Sequence, residues 1–262
     1  MKNNDEINLL IEKNLYDLFV YIAQKGKRSV GVWDDVKWVK TIPSTWPNFI
    51  FDSRIDSSDL ESRVQNINIE IENLNAPPLW IFPATQQNNE LCSVLEKNGL
   101  RLSAQWTGMA LDIENQNHIQ TPEGLEICLV DNLTLLQEWT TIVSQSLFNK
   151  SSLDIDLLVN FIVDDQVKMF IGKCNGVPVA SSLMYISNGV AGIYMIATSN
   201  EFRKKGFGSA ITSFTIAEAA KSQCQTVILH ATSAGKSIYM KLGFCEFNAY
   251  NIFWKVGKKF KL

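Results

Sequence analysis

Val190-Ala191-Gly192-Ile193-Tyr194-Met195-Ile196-Ala197-Thr198, followed by Arg203-Lys204-Lys205-Gly206-Phe207-Gly208-Ser209, is the stretch whose reading decides the fold. The first run is apolar throughout and reads as a strand. The second lies between that strand and a helix on which Phe207, Ala210, Ile211, Phe214 and Ala217 share one face. Successive backbone N–H groups at such a junction, with the positive end of the helix dipole, form a binding site for a pyrophosphate. Gly206 and Gly208 let the backbone come close to such a ligand. Each contact of an anion with a helix terminus contributes about 0.3 to 1 kcal/mol when exposed and up to about 2 when partly buried. Taken alone, the seven residues fit a basic turn before an ordinary helix equally well.

Working outward, three strands are expected in close succession, Val167 to Cys174, Pro178 to Ile186 and Val190 to Thr198. Asn175-Gly176 and Asn188-Gly189 separate them, and Asn-Gly between apolar runs is a strong hairpin signal. An antiparallel meander follows from this. Upstream, Leu125 to Val130 reads as a strand, Leu133 to Leu147 as a helix and Leu153 to Val163 as a second helix. Downstream come a strand, Thr226 to Ala231, a short helix around Tyr239 and a strand, Phe247 to Lys255. In the first half, Ile7, Leu10, Ile11, Leu15, Leu18 and Ile22 recur at helical spacing. Asn48 to Arg54 and Leu79 to Pro83 read as strands, with a polar helix from Asp59 to Leu74 between them. The polar stretch Glu114 to Gly124 is the best linker.

Composition bounds the function. At 262 residues, 46% hydrophobic and 19% charged, the chain has material for two packed domains. A net charge of −3 and a pI near 5.5 argue against a nucleic-acid partner. No window offers about 20 consecutive apolar residues, and acidic residues interrupt the first twenty, so a soluble, cytoplasmic protein without a membrane partner is expected. The five cysteines are scattered and form no C-x-x-C pair, and His118 and His230 stand far apart. No metal is expected.

Val177 to Phe244 resembles the GCN5-related N-acetyltransferase (GNAT) superfamily. The likeness rests on the strand Val190 to Thr198, on the loop Arg203 to Ser209, and on Leu229-His230-Ala231-Thr232-Ser233-Ala234-Gly235 leading into Ile238-Tyr239-Met240-Lys241-Leu242-Gly243-Phe244. The resemblance implies the α/β acyl-CoA N-acyltransferase fold, a mixed, mostly antiparallel sheet flanked by helices. It implies a bulge in the strand before the loop, which splays that strand from its neighbour, and acetyl-CoA as cosubstrate, its pantetheine pairing with the freed main chains of Ile196 and Thr198. The pyrophosphate would rest on the N–H groups from Lys204 to Ser209, Gly206, Phe207 and Gly208 among them, with Arg203, Lys204 and Lys205 as side-chain contacts. Tyr239 matches the tyrosine that donates a proton or hydrogen bond to the departing thiolate. No carboxylate lies between residues 190 and 200, so the general base is open, with Tyr194 or a held water as options. His230 reads as packed or hydrogen-bonded. The implied reaction is direct transfer of acetyl to a small-molecule amine in a ternary complex. A protein or peptide amine, or a non-catalytic coenzyme A binding role, are the alternatives, and the oligomeric state is open.

The first half reads as a worn copy of the second. Trp80-Ile81-Phe82-Pro83-Ala84-Thr85 parallels Ile228-Leu229-His230-Ala231-Thr232, Leu95 to Leu100 parallels Tyr239 to Phe244, and Gln105 to Ile113 parallels Ala249 to Val256. The first half has no R-x-x-G-x-G, and Leu95 takes the tyrosine's place. The expected organisation is a degenerate domain over 1–117, a linker over 118–124 and a catalytic domain over 125–262. The first domain would act as a wall of the acceptor pocket.

Overall fold

The computed structural model describes residues 3–85, 88–117 and 119–257, so His118 of the expected linker falls outside it. The chain opens with helix α1 (Asn4–Lys25), started by a capping box in which the Asn3 side chain accepts from the Glu6 N–H and Glu6 accepts from the Asn3 N–H, both at 2.9 Å. There follow β1 (Ser29–Trp33), β2 (Val36–Lys40), β3 (Asn48–Phe51), α2 (Leu60–Glu72), β4 (Leu79–Pro83), α3 (Asn89–Lys97) and β5 (Leu100–Asp112). The second half contains β6 (Leu125–Leu129), α4 (Leu133–Leu147), α5 (Ile155–Leu158), β7 (Val167–Cys174), β8 (Val177–Ser187), β9 (Val190–Thr198), α6 (Phe207–Lys221), β10 (Thr226–Ala231), α7 (Lys236–Lys241) and β11 (Cys245–Lys255).

All these strands form one sheet in the order β1-β2-β3-β4-β11-β5-β10-β9-β8-β7-β6. Its pairing is mostly antiparallel, with parallel rungs only at β3–β4 and β9–β10. Apart from β6, which has no counterpart, the order is symmetric about the β11–β5 pair. On each side a meander runs inward to a parallel pair bridged by a helix, α2 or α6. These are two similar halves of the expected α/β architecture. The segments that read as equivalent chain ends are each other's neighbours, with Ala249 opposite Thr107 and Tyr250 opposite Trp106. An antiparallel pair of equivalent strands is what a two-fold axis through the sheet produces.

Each half has also handed over a strand. β5 lies against β10 of the second half, and β11 lies against β4 of the first. The sheet therefore does not break at the linker. Helix α1 adds to the crossing. The Asn14 amide donates to the Val190 carbonyl at 3.2 Å, and the Tyr21 hydroxyl donates to Asp164 at 2.8 Å. Ile11, Leu15, Leu18, Phe19 and Ile22 of α1 share one buried core with Trp139 and Val143 of α4 and Leu183 of β8. Helices α6 and α7 cover the opposite face of the second half, and the apolar residues of α2 and α3 pack on β4.

Two expectations change, and one element comes without a sequence signal. The helix expected over Leu153 to Val163 is the four-residue α5 followed by a 3₁₀ turn, Val159–Phe161. The buried stripe of α6 is Phe207, Ala210, Ile211, Thr212, Thr215, Ile216 and Ala219, while Ala217 is exposed. Threonines can face the core there because their hydroxyls are satisfied. Thr212 donates to the Gly208 carbonyl at 2.7 Å, and Thr215 donates to the Ile211 carbonyl at 2.8 Å and meets Ser182 Oγ at 2.7 Å. The hairpin β1–β2, turning at Asp34-Asp35, carried no Asn-Gly signal and was not expected.

Candidate functional site

The parallel pair β9–β10 opens into a fork. Rungs run from Thr226 with Val190 to Leu229 with Ile193 and stop there. Beyond that point His230 and Ala231 stay with β5, opposite Gly108 and Thr107, while Tyr194 to Thr198 stay with β8. The divergence coincides with a bulge. Between the rungs Leu183–Tyr194 and Ser181–Ala197, Met195 and Ile196 of β9 face the single residue Ser182. Met195 has φ 49°, and its carbonyl accepts from the Ser181 hydroxyl at 3.0 Å. A bulge adds twist and bends the strand away from its neighbour, which opens the fork.

At the outer end of β9 the chain makes one 3₁₀ turn and enters the loop Arg203 to Ser209. Lys204 (φ 63°) and Gly206 (φ 85°) are left-handed, which turns the intervening N–H groups to one side. Among the described residues, the first intrachain bond of α6 is from the Ala210 N–H to the Gly206 carbonyl at 3.0 Å. The N–H groups from Lys204 to Ser209 make none, as expected of donors at a helix start. Gly208 faces the fork closely, since a Cβ there would come within 3.2 Å of Thr198 Oγ1. The side chains of Arg203, Lys204 and Lys205 are exposed. Lys205 lies over the Phe202 ring at 5.2 Å, and Arg203 Nε donates to the Thr198 carbonyl at 3.3 Å. That carbonyl also accepts from Ser146 Oγ at 3.4 Å, so the Thr198 oxygen already has partners within the chain. Ile196 sits in the bulge itself.

Tyr239 lies on α7, which follows β10 on the other arm of the fork. Its ring packs on Phe244 at 6.1 Å, and a Cβ on Gly235 would come within 3.0 Å of it. Burial alone pushes its phenol well above the usual range, so it keeps its proton at any physiological pH. The setting of Tyr194 does not favour a base. It is buried, its phenol is likewise raised by burial, and its hydroxyl donates to Asn14 Oδ1 at 2.7 Å. His230 is packed, but not hydrogen-bonded. Both ring nitrogens are buried without a partner among the described residues, and burial holds the imidazole down at about 3. An orphaned buried polar group costs about 1 to 3 kcal/mol. An open groove of about 370 Å³ lies between α4 and Pro178 and Ser199, and none of the expected site residues lines it.

The bulge and the N–H cluster thus lie along one arm of the fork, and Tyr239 lies on the helix that follows the other arm. The resemblance implied a bulge in the strand before the loop but not its place at Met195, and the sequence did not reveal the Ser146 contact or the α1 residues beside the fork.

A family model, described as the acetyltransferase (GNAT) family, matches residues 133–244. The match runs through the second half of the chain from α4 to just past α7, which is thus similar to the GNAT family there. A search by sequence among curated proteins finds no match. Solved structures extend the likeness in fold to most of the chain. A GCN5-related N-acetyltransferase from Kribbella flavida is 15% identical, with a TM-score of 0.71, covering 92% of this chain and 95% of that one. Another from Sphaerobacter thermophilus is 14% identical, with a TM-score of 0.60 and coverages of 85% and 81%. A tandem GNAT protein from the clavulanic acid biosynthesis pathway is 10% identical, with a TM-score of 0.56 and coverages of 83% and 77%. No helix among the described residues is long and apolar enough to cross a membrane.

Proposed function

We propose that this GNAT protein transfers acetyl from acetyl-CoA to the amine of a small molecule, in a ternary complex and with no covalent enzyme intermediate. The observation that carries the reading is the fork, with unpaired N–H groups at its outer end and a protonated phenol on its second arm. The N–H groups from Lys204 to Ser209 would take the pyrophosphate, aided by the positive end of α6. The free edge of β9 around Ile196 would pair with pantetheine as another strand would, and an N–H of the bulge would face the thioester oxygen. With the Thr198 carbonyl already engaged, that residue would contribute through its N–H or its hydroxyl.

In the chemical step the amine nitrogen bonds to the carbonyl carbon and the carbon–sulfur bond breaks. Tyr239 donates its proton to the leaving thiolate, and the proton shed by nitrogen passes to water, from which Tyr239 is recharged. A protein or peptide acceptor fits less well, because α1 of the first half covers the face of the fork where a long groove would run. A screen of amines for coenzyme A release tests the reading, paired with calorimetric titration of acetyl-CoA. We expect one coenzyme bound per chain and turnover with some small amine. Coenzyme binding with no amine turned over would leave only a coenzyme A binding role.

A further inference from the structure

The acceptor's place follows from a side chain that the fold leaves with neither of its polar atoms partnered among the described residues. His230 is the first residue of β10 beyond its last rung with β9, so it stands at the crotch of the fork, on the α1 side. Three rings surround it, Tyr250 edge-on at 4.6 Å, Tyr194 nearly parallel at 6.4 Å and Trp106 at 6.4 Å. The Tyr194 proton is committed to Asn14, and neither imidazole nitrogen has a partner among the described residues. A neutral imidazole carries one donor and one acceptor nitrogen, and an apolar cage that satisfies neither is a poor resting place for it. Of the three rings, Trp106 alone is only half-buried, and His230 itself is half-buried.

A second group lies nearby. Ile11 of α1 sits above Gly108, the strand partner of His230, and a Cβ on Gly108 would come within 3.1 Å of both Ile11 Cγ2 and Tyr250 Cε2. The next residue, Glu12, is half-buried, within electrostatic reach of Tyr16, Tyr250, Asp52 and Arg54. Asp52 is already paired, with Lys37 at 2.8 Å and Arg54 at 3.0 Å. Glu12 has no ion pair and no hydrogen bond among the described residues. Burial, and then Asp52, raise its carboxyl, which marks a place where a cation would be welcome.

We infer that the acceptor's reacting amine docks against His230, with its body along Trp106 and Tyr250, and that Glu12 holds a second positive charge of the same molecule. The acceptor class is a small diamine or polyamine. This rests on the proposed function and adds the subsite to it. The reacting amine attacks as its free base, and an N–H donated to His230 turns the lone pair toward the thioester carbon. Residues of both halves, Glu12 and Trp106 from one and Tyr194 and His230 from the other, make the subsite.

The test compares 1,4-diaminobutane with n-butylamine in the full chain. The wild type should favour the diamine by roughly tenfold or more in kcat/KM, the factor that 1.4 kcal/mol represents. Glu12→Gln should collapse that ratio toward one, and His230→Gln should lower kcat/KM for both amines while coenzyme A affinity is kept. A diamine preference that survives Glu12→Gln would overturn the inference. If the wild type acetylates neither amine, calorimetric titration of 1,4-diaminobutane, with and without coenzyme A, separates the two readings. Binding weakened tenfold in Glu12→Gln would uphold the subsite while the reaction failed, and no binding by the wild type would overturn the subsite. Should His230→Gln fail to fold, Glu12→Gln still decides.

Discussion

The two halves contain the same fork in two conditions. In the second half β9 leaves β10 after Leu229 and Ile193, and the gap stays lined by free main chain. In the first half β3 leaves β4 after the rung between Ile50 and Trp80, at the matching place in the topology. That gap is filled from within. Trp80 is fully buried, and its indole N–H donates to Ser53 Oγ on the departing strand at 2.7 Å. The turn into α2 differs as well. Where the second half offers bare N–H groups, Asp56 places a carboxylate that accepts from the Ser58 N–H and hydroxyl, both at 2.9 Å. Those two donors hold the Asp56 carboxyl below the usual range. The first fork is occupied by the chain's own side chains, while the topology around it matches that of the second.

The comparison can be broken most drastically by separating the halves. A fragment from Glu123 onward lacks β5, which leaves β10 with a bare edge and β11 without its neighbours. It should fail to fold cooperatively, and a sharp thermal transition with dispersed amide resonances would show that the exchange is dispensable. Next in size is Gly208→Val. A side chain there meets Thr198 and blocks the approach to the N–H cluster, so acetyl-CoA affinity should fall about a hundredfold, by calorimetry, with only a small change in Tm. Tyr239→Phe should lower kcat by about a hundredfold, within the usual contribution of a placed proton donor, and leave acetyl-CoA affinity nearly unchanged. A drop of less than about threefold would remove the acid role.

The filled fork should answer in the opposite currency. Ser53→Ala orphans the Trp80 indole, at a cost of about 1 to 3 kcal/mol, and should lower Tm by several degrees without altering coenzyme affinity. Native mass spectrometry should still count one coenzyme per chain. A second bound coenzyme in any of these proteins would mean that the first fork is not closed. The smallest effect is invisible at pH 7. His230 is held at about 3 in the native state, against an ordinary value of 6.5, so below 6.5 the unfolded chain takes up a proton that the native one refuses. Stability should therefore fall as pH drops below 6.5, by up to about 1.4 kcal/mol per unit from this group. His230→Gln should have a shallower acid limb in urea titrations, and equal slopes would mean that the imidazole titrates freely.

What could be read beforehand was local. The apolar run before the loop, the glycines at 206 and 208, and Tyr239 within its motif each announce a role through residue type and spacing. The paired segments 105–113 and 249–256 also matched, yet their exchange stayed hidden, because an apolar strand fits between either pair of neighbours and only register distinguishes them. The resemblance implied a bulge in β9, but its place at Met195 stayed hidden for a similar reason. Ile-Tyr-Met-Ile is apolar throughout, and no alternation in it shows where a residue has been added. His230 was read as a packed or hydrogen-bonded strand residue, since nothing in its neighbours reveals that three rings leave both its nitrogens dry. Ala217 was misplaced because hydroxyls at 212 and 215 find partners within the core, which pattern reading assigns to the outside.

The exchange of β5 and β11 also sets a timetable for the chain as it is made. On the ribosome β4 appears early, but the strand that covers its edge follows more than a hundred residues later, after every other strand. β5 likewise waits for β10. Neither half can be completed while the other is still being synthesised, so the nascent first half must remain an unfinished sheet and the last strand closes both halves at once. Such long-range pairing favours slow folding and leaves strand edges open for longer. A chain cut short anywhere before Cys245 would have no finished half, and that makes a prematurely ended product recognisable to proteases and chaperones as a whole.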